Sequence, residues 1–242
     1  RSGVDPYIYN ASRTFQTPMD EVTRDQRQAG KLQEFALQFL GGVGALKLMA
    51  RNYGLHFTDI EAQHMVDAWR AANPWARRFG DELDRAALTA VGKPGQWFKV
   101  GRVRYAYDGG DWLWCELPSG RLLAYGKPAR EMVETPWGDE RLAVTCLWGA
   151  GRPKRGEDWP RRSMHGGLWI ENVTQGAAAD LLRDAVVRGD DAGLDVVLHV
   201  HDEIVVEGRH SQFLGELMLD SAGWADGLPL DGGGGSGLRY GK

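Results

Sequence analysis

Two groups of residues in this chain have the types and spacing for chemistry. The first is His201-Asp202-Glu203. It interrupts Val196-Val197-Leu198-His199-Val200 on one side and Ile204-Val205-Val206 on the other. Such apolar, β-branched runs read as buried strands. Carboxylates between them are costly unless they sit at a hairpin tip or meet a cation. The segment is therefore either a solvated β-turn, where Asp is common, or a hairpin that presents a carboxylate to a divalent metal. Other acidic pairs, Asp20-Glu21, Asp81-Glu82, Asp139-Glu140, Glu157-Asp158 and Asp190-Asp191, lie in polar or helical surroundings and read as surface. The second group is Arg27, Lys31, Phe35 and Phe39, which recur every four residues. At about 100° per residue each step advances ~40°, so the four span ~120° of one helical face. That face is either a core stripe with two solvated cations or a phosphate grip. In the second case Arg27 and Lys31 hold the phosphates while Phe35 and Phe39 stack a base or sugar. Gly41-Gly42-Val43-Gly44 lacks the G-K-[ST] that would complete a Walker loop.

The elements that must position these groups follow from caps and turns. Thr23-Arg24-Asp25-Gln26 has the capping-box pattern, so a helix is predicted from about Arg24 to Phe39, ended by Gly41 and Gly42. Thr58-Asp59-Ile60-Glu61 opens a second helix carrying Met65, Val66 and Trp69 on one face. Asn73-Pro74 is expected to cap a third, running to about Val91. Short strands are expected at 103–107, 112–117 and 121–125, with Asp108-Gly109-Gly110 and Pro118-Ser119-Gly120 as their turns. A basic, Pro/Gly-rich loop covers 149–162 with Arg152, Lys154, Arg155, Arg161 and Arg162. A fourth long helix is predicted from Thr174 to Arg188, then strands at Leu194 to Val200 and Ile204 to Val206. Residues 232–237 are Gly/Ser-rich and expected to be flexible.

Composition bounds the possibilities. The chain has 242 residues, a hydrophobic content of 43%, a charged content of 26% and a net charge of −4. This is globular rather than disordered, with enough length for one or two domains and a sizeable core. No apolar run approaches the ~20 residues of a membrane helix, and the N-terminus has no apolar signal-peptide core. It also has no initiator Met, which suggests a piece of something longer or a processed chain. Cys115 and Cys146 have no C-x-x-C or His partners at zinc spacing and read as reduced thiols of a cytoplasmic protein. The acidic balance by itself argues against nucleic acid.

The two chemical groups together resemble family A, DNA polymerase I-like, DNA polymerases. Arg27-x3-Lys31-x3-Phe35-x3-Phe39 resembles that family's fingers helix, motif B, and His201-Asp202-Glu203 resembles its motif C. Glu171-Asn172-Val173-Thr174-Gln175-Gly176, opening a helix, looks like the segment before motif C. Leu117-Pro118-Ser119-Gly120-Arg121-x3-Tyr125 resembles the phage and prophage branch, and Asp5-Pro6-Tyr7 looks like the sequence just after motif A. These matches occur in family order across almost the whole chain.

The resemblance implies template-directed addition of dNTPs to a primer–template, with two Mg²⁺ ions (Mn²⁺ as a substitute) held by two aspartates. Asp202 would be a metal ligand, Glu203 an auxiliary carboxylate, and His201 would sit near the primer terminus. Arg27 and Lys31 would contact the triphosphate, Lys31 also as proton donor to the pyrophosphate. Phe35 would pack near the sugar. Phe39 stands where the family commonly has Tyr, so stacking survives without the hydroxyl. Asn172 and Gln175 would reach the primer–template minor groove. The implied fold is α+β (mixed α/β): a helical fingers subdomain with a small β insertion at about 100–125, above part of an antiparallel palm sheet. The implied domains are 1–22 as palm-to-fingers lead-in, 23–160 as fingers, 161–231 as palm with the motif C hairpin, and 232–242 as tail. The implied setting is the cytoplasm of a phage-infected or prophage-bearing bacterium, away from any membrane.

One departure is large. Motif A, roughly D-x-S-x-I-E, supplies the first catalytic aspartate and lies upstream of Asp5; it does not occur in these 242 residues. The thumb is missing too. The chain alone is therefore expected not to polymerise: either it pairs with a second polypeptide that supplies motif A and the thumb, as in a split polymerase, or it is a fragment of a longer enzyme. The other readings are a non-catalytic DNA- or dNTP-binding remnant, and a metal-dependent nuclease, which would need more carboxylates around Asp202 than Glu203. Net charge does not oppose nucleic acid after all: an acidic surface can mask local cations at Arg27, Lys31 and the 149–162 loop.

Overall fold

The computed structural model describes residues 3–135, 137–149, 159–220 and 223–240. The fold is mixed α and β, with helices and antiparallel sheets, and divides into two compact units. The first comprises Arg1–Cys115 and Ala124–Asn172, the second Glu116–Leu123 and Val173–Lys242. Among the described residues, no helix is long and apolar enough to cross a membrane.

The first unit begins with five helices: α1 (Pro6–Phe15), α2 (Arg24–Leu37), α3 (Val43–Asn52), α4 (Asp59–Ala72) and α5 (Pro74–Gly92). Both predicted capping boxes form. Thr23 and Gln26 cap α2 reciprocally, and Thr58 and Glu61 do the same for α4. Leu32, Leu37, Leu46, Met65, Val66 and Trp69 form the core between α2, α3 and α4. Polar contacts clamp α1 to α2: Asn10 Nδ2 donates to Glu34 Oε2 at 2.7 Å, and Gln33 Nε2 donates to Thr14 Oγ1 at 2.7 Å. The closest approach is at Gly30, where an added Cβ would lie 2.1 Å from the Tyr7 carbonyl oxygen.

One expectation about these helices is corrected and another refined. Helix α2 stops at Leu37, so Phe39 lies in the turn beyond it rather than on the helix. Helix α5 opens as expected, with Asn73 at the N-cap position and Pro74 first in the helix, but the Asn73 side chain donates back to the Trp69 carbonyl at 3.0 Å instead of capping it. Helices α1 and α3, for which the sequence reading proposed no element, both form against α2.

The β insertion is larger than the predicted 100–125. Strands β1 (Trp97–Val100), β2 (Val103–Tyr107), β3 (Trp112–Glu116) and β4 (Leu122–Gly126) make one sheet in sequence order. Strands β5 (Ala129–Glu134), β6 (Glu140–Leu147) and β7 (Arg161–Ser163) make a second, antiparallel throughout. Helix α6 then runs Gly166–Asp191, two turns earlier than the predicted Thr174. Its opening glycines are steric necessities. A Cβ on Gly166 would meet the Gly80 backbone at 2.9 Å, and one on Gly167 would meet the Phe39 carbonyl at 2.2 Å. Trp169 follows, fully buried, edge-on to Tyr105 and Tyr125 with centroids at 5.4 and 4.9 Å. Its Nε1 donates to Asp84, which Arg141 also holds, at 2.9 and 3.0 Å. Cys115 and Cys146 are both buried and neither is in a disulfide.

The second unit holds the rest of α6, the hairpin of β8 (Val196–Val200) and β9 (Glu203–Val206), and α7 (Ser211–Leu219). Ala185, Leu194, Ile204 and Leu214 form its core, which seats the hairpin on α6 and α7. Arg188 ties α7 down by donating to the Leu217 and Asp220 carbonyls at 3.0 and 2.6 Å. The turn Leu117–Gly120 is fixed to α6 through Asp180, whose side chain is 2% exposed. Asp180 accepts from Ser119 Oγ and, at 2.5 Å, from Arg121 Nε, while Arg121 Nη2 donates to the Gly176 carbonyl at 2.8 Å.

Candidate functional site

Arg27, Lys31 and Phe35 occupy one face of α2, and the packing of α1 adds two residues that the four-residue spacing did not reveal. Asp5 caps α1, its Oδ1 accepting from the N–H groups of Tyr7 at 2.8 Å and Ile8 at 3.2 Å. Its Oδ2 accepts from Arg27 Nε at 2.9 Å and Nη2 at 2.8 Å. The guanidinium also lies over the Tyr7 ring, 5.2 Å from its centre, and Tyr7 packs edge-on against Phe35 at 5.9 Å. Lys31 Nζ stands 5.4 Å from the Phe35 ring and 6.0 Å from that of Tyr53, at the end of α3. All of Arg27, Lys31 and Phe35 are partly exposed, so the face is neither core nor simple solvated surface. It is a half-open patch of two cations among three aromatic rings. Phe39 does not share it through the helix, because α2 has ended.

The sequence signals for Asp5 and Tyr7 were weak. Asp5-Pro6-Tyr7 stands out in the sequence only as resembling the stretch just after motif A, and the close α1–α2 crossing at Gly30 brings it to Arg27. Tyr53 carried no signal at all.

In the second unit, His201 and Asp202 form the two-residue loop between β8 and β9, with Val200 paired to Glu203 across it. Both readings of this segment survive at the level of shape: it is a β-turn, and it does present Asp202 at an exposed tip. His201 has φ +54°, a left-handed conformation that a two-residue loop usually reserves for glycine. Glu203 is half-buried, and its Oε2 accepts from Tyr240 Oη at 2.8 Å. The Gly-rich segment 233–240 lines a groove of about 680 Å³ with Asp202, Glu203 and α7.

Asn172 and Gln175 lie within α6 rather than at its start. Asn172 Nδ2 donates to Tyr125 Oη at 3.1 Å, and Gln175 is exposed. Of the loop cations, Arg152, Lys154 and Arg155 fall outside the described residues. Arg161 and Arg162 form part of β7; Arg161 Nη2 donates to the Thr145 carbonyl at 2.9 Å, and Arg162 stacks 4.5 Å over Trp148.

The α2 face can hold a polyanion: a guanidinium and an ammonium on consecutive turns suit phosphates, and the rings beside them suit a flat or sugar group. The hairpin tip can offer one carboxylate to a cation. A tight divalent site takes several oxygen ligands. Among the described residues no group of three or more His, Cys, Asp or Glu is assembled to hold a metal. Among the described residues Asp202 thus stands without the further oxygen donors that a tight divalent site takes.

No family model matches the chain. It is 36% identical over 231 residues to the DNA polymerase of Bacillus phage SP02, a match that covers 93% of this chain and 34% of that protein. The chain thus spans about a third of the length of this relative. A solved structure, the POL domain of Pol1 from M. smegmatis in complex with DNA primer-template and dNTP, is similar over 90% of this chain and 31% of its own length. That likeness has 20% identity and a TM-score of 0.47.

Proposed function

The chain is homologous to about a third of a phage DNA polymerase, of the DNA polymerase I-like kind that its motifs resemble, and from that premise we propose that it carries the nucleotide-gripping and carboxylate-bearing parts of a template-directed DNA-synthesising enzyme. The observation that carries the reading is the face of α2, where Arg27 and Lys31 stand on consecutive turns beside Phe35, Tyr7 and Tyr53. In this reading Arg27 and Lys31 bind the triphosphate of a dNTP, Lys31 protonates the departing pyrophosphate, and Phe35 packs on the sugar. Phe39 supplies its ring from the turn after α2. Asp202 is a ligand for Mg²⁺, with Mn²⁺ as a substitute, and Glu203 assists it. His201, Asn172 and Gln175 contact the primer–template. The regions are the lead-in 1–22, fingers 23–160, palm 161–231 and tail 232–242.

Two metals held by paired aspartates would lower the pKa of the primer hydroxyl and neutralise the leaving pyrophosphate. One exposed aspartate is half of that cage, so we propose that a second polypeptide, or a further part of the same one, supplies motif A and the thumb. The enzyme would work in the cytoplasm of a phage-infected or prophage-bearing bacterium. Primer extension with Mg²⁺ tests this. The chain alone should not extend a labelled primer, and adding a polypeptide that carries D-x-S-x-I-E should give extension that Asp202→Ala abolishes. Extension by the chain alone, lost in Asp202→Ala, would overturn the need for a second part. The alternative, a non-catalytic remnant that binds DNA or dNTP, is favoured by the absence, among the described residues, of a group of three or more His, Cys, Asp or Glu that could hold a metal at Asp202. It predicts binding but no extension in either mixture.

A further inference from the structure

Asp5 has been given no role above, yet its carboxylate receives two nitrogens of Arg27. Its two oxygens divide the work. Oδ1 is tied to the backbone at the start of α1 through Tyr7 and Ile8, and Oδ2 receives both Nε and Nη2 of Arg27. The carboxylate therefore cannot follow the guanidinium if it moves; it is anchored to the helix. The Tyr7 ring closes a second side of the guanidinium. The fork of an arginine has five N–H donors, and this arrangement leaves Nη1 outside the pair.

We propose that Asp5 is a positioning residue for Arg27: it fixes the guanidinium on the same face as Lys31, so that the Nη1 edge is already directed when the phosphates of a nucleotide arrive. This rests on the reading of Arg27 as a triphosphate ligand. The physical ground is preorganisation. A long side chain held in one geometry before binding loses less freedom on binding than a free one. Burial pushes the Asp5 carboxyl up, but the Arg27 hydrogen bond and the Ile8 and Tyr7 N–H groups outweigh it and hold it below the usual carboxylate range. The anchor thus stays charged at neutral pH.

Calorimetric binding of dATP and of inorganic tripolyphosphate to the whole chain tests the proposal. Asp5→Asn is the informative variant, because Asn caps a helix as well as Asp does but loses the charge-assisted bond. It should weaken both ligands about five- to tenfold while the melting temperature stays close to wild type. Arg27→Ala should weaken them at least as much, and the double variant should bind no worse than Arg27→Ala, since Asp5 acts only through Arg27. Asp5→Ala should lose stability as well as affinity. Equal or tighter binding in Asp5→Asn, with Arg27→Ala still weakened, would overturn the positioning role and make Asp5 a competitor of the phosphate. Unchanged binding in Arg27→Ala would overturn the triphosphate reading of Arg27, and this proposal with it.

Discussion

Arg121 and Asp180 form a pair whose partners differ sharply in exposure: the carboxylate side chain is 2% exposed and the guanidinium 33%. Removing the arginine leaves a buried charge with Ser119 and a more distant Arg183. Arg121→Ala should therefore cost about 3 kcal/mol in denaturant unfolding, the range for breaking one side of a buried pair. A loss under 1 kcal/mol would show that Arg183 takes over. His165 responds to pH for a different reason. Burial first, then repulsion from Arg141 and Arg162, depresses its pKa below the ordinary 6.5. The folded chain then binds fewer protons than the unfolded one, so this contribution to stability is complete above about pH 6.5 and is lost as pH falls toward the depressed value. Urea midpoints measured from pH 8 to 5 should fall on the acid side, and less steeply in His165→Gln. At Cys146, burial pushes the thiol up to about 12. It should resist a thiol reagent in the native chain and react on unfolding, as measured by mass.

At the scale of elements, the α1–α2 crossing decides whether the Arg27 face exists. Gly30→Ala would gain helix propensity of about 1 kcal/mol, but it places a methyl 2.1 Å from a backbone oxygen that cannot swing away. The net should be a loss of roughly 2 kcal/mol or more, with weaker dATP binding because α1 carries Asp5 and Tyr7. Unchanged melting and binding would mean that the helices separate freely. The legible elements were those with local chemistry: Thr23 and Thr58 announced α2 and α4 through their boxes, and the i, i+4 repeat put Arg27, Lys31 and Phe35 on one face. The illegible ones answer to distant neighbours. Gly166-Gly167 is poor helix sequence, yet it opens α6 because Gly80 and the Phe39 carbonyl leave no room for a side chain. Strand β5 has exposed residues at Arg130, Glu131 and Met132, so no alternation betrayed it; pairing with β6 made it a strand. The contact of Asp5 with Arg27 spans 22 positions and could not be seen from spacing alone.

For the whole molecule, a net charge of −4 spreads over a chain that still gathers cations locally on α2 and β7. The chain also spans only 34% of its phage relative, so its assembly state is the decisive whole-molecule property. If motif A comes from a further polypeptide, as proposed above, native mass spectrometry of the natural assembly should show a mass well above 26.8 kDa. A lone 26.8 kDa species that extends primers would contradict this. His201 holds the left-handed turn of the β8–β9 loop, where glycine would relieve strain worth roughly 0.5 kcal/mol net of its own entropy cost. Laboratory selection for heat resistance alone should drift toward glycine at 201, discarding the imidazole; if His201 contacts the primer–template as proposed, selection for primer extension by the completed enzyme should hold histidine there against that pull.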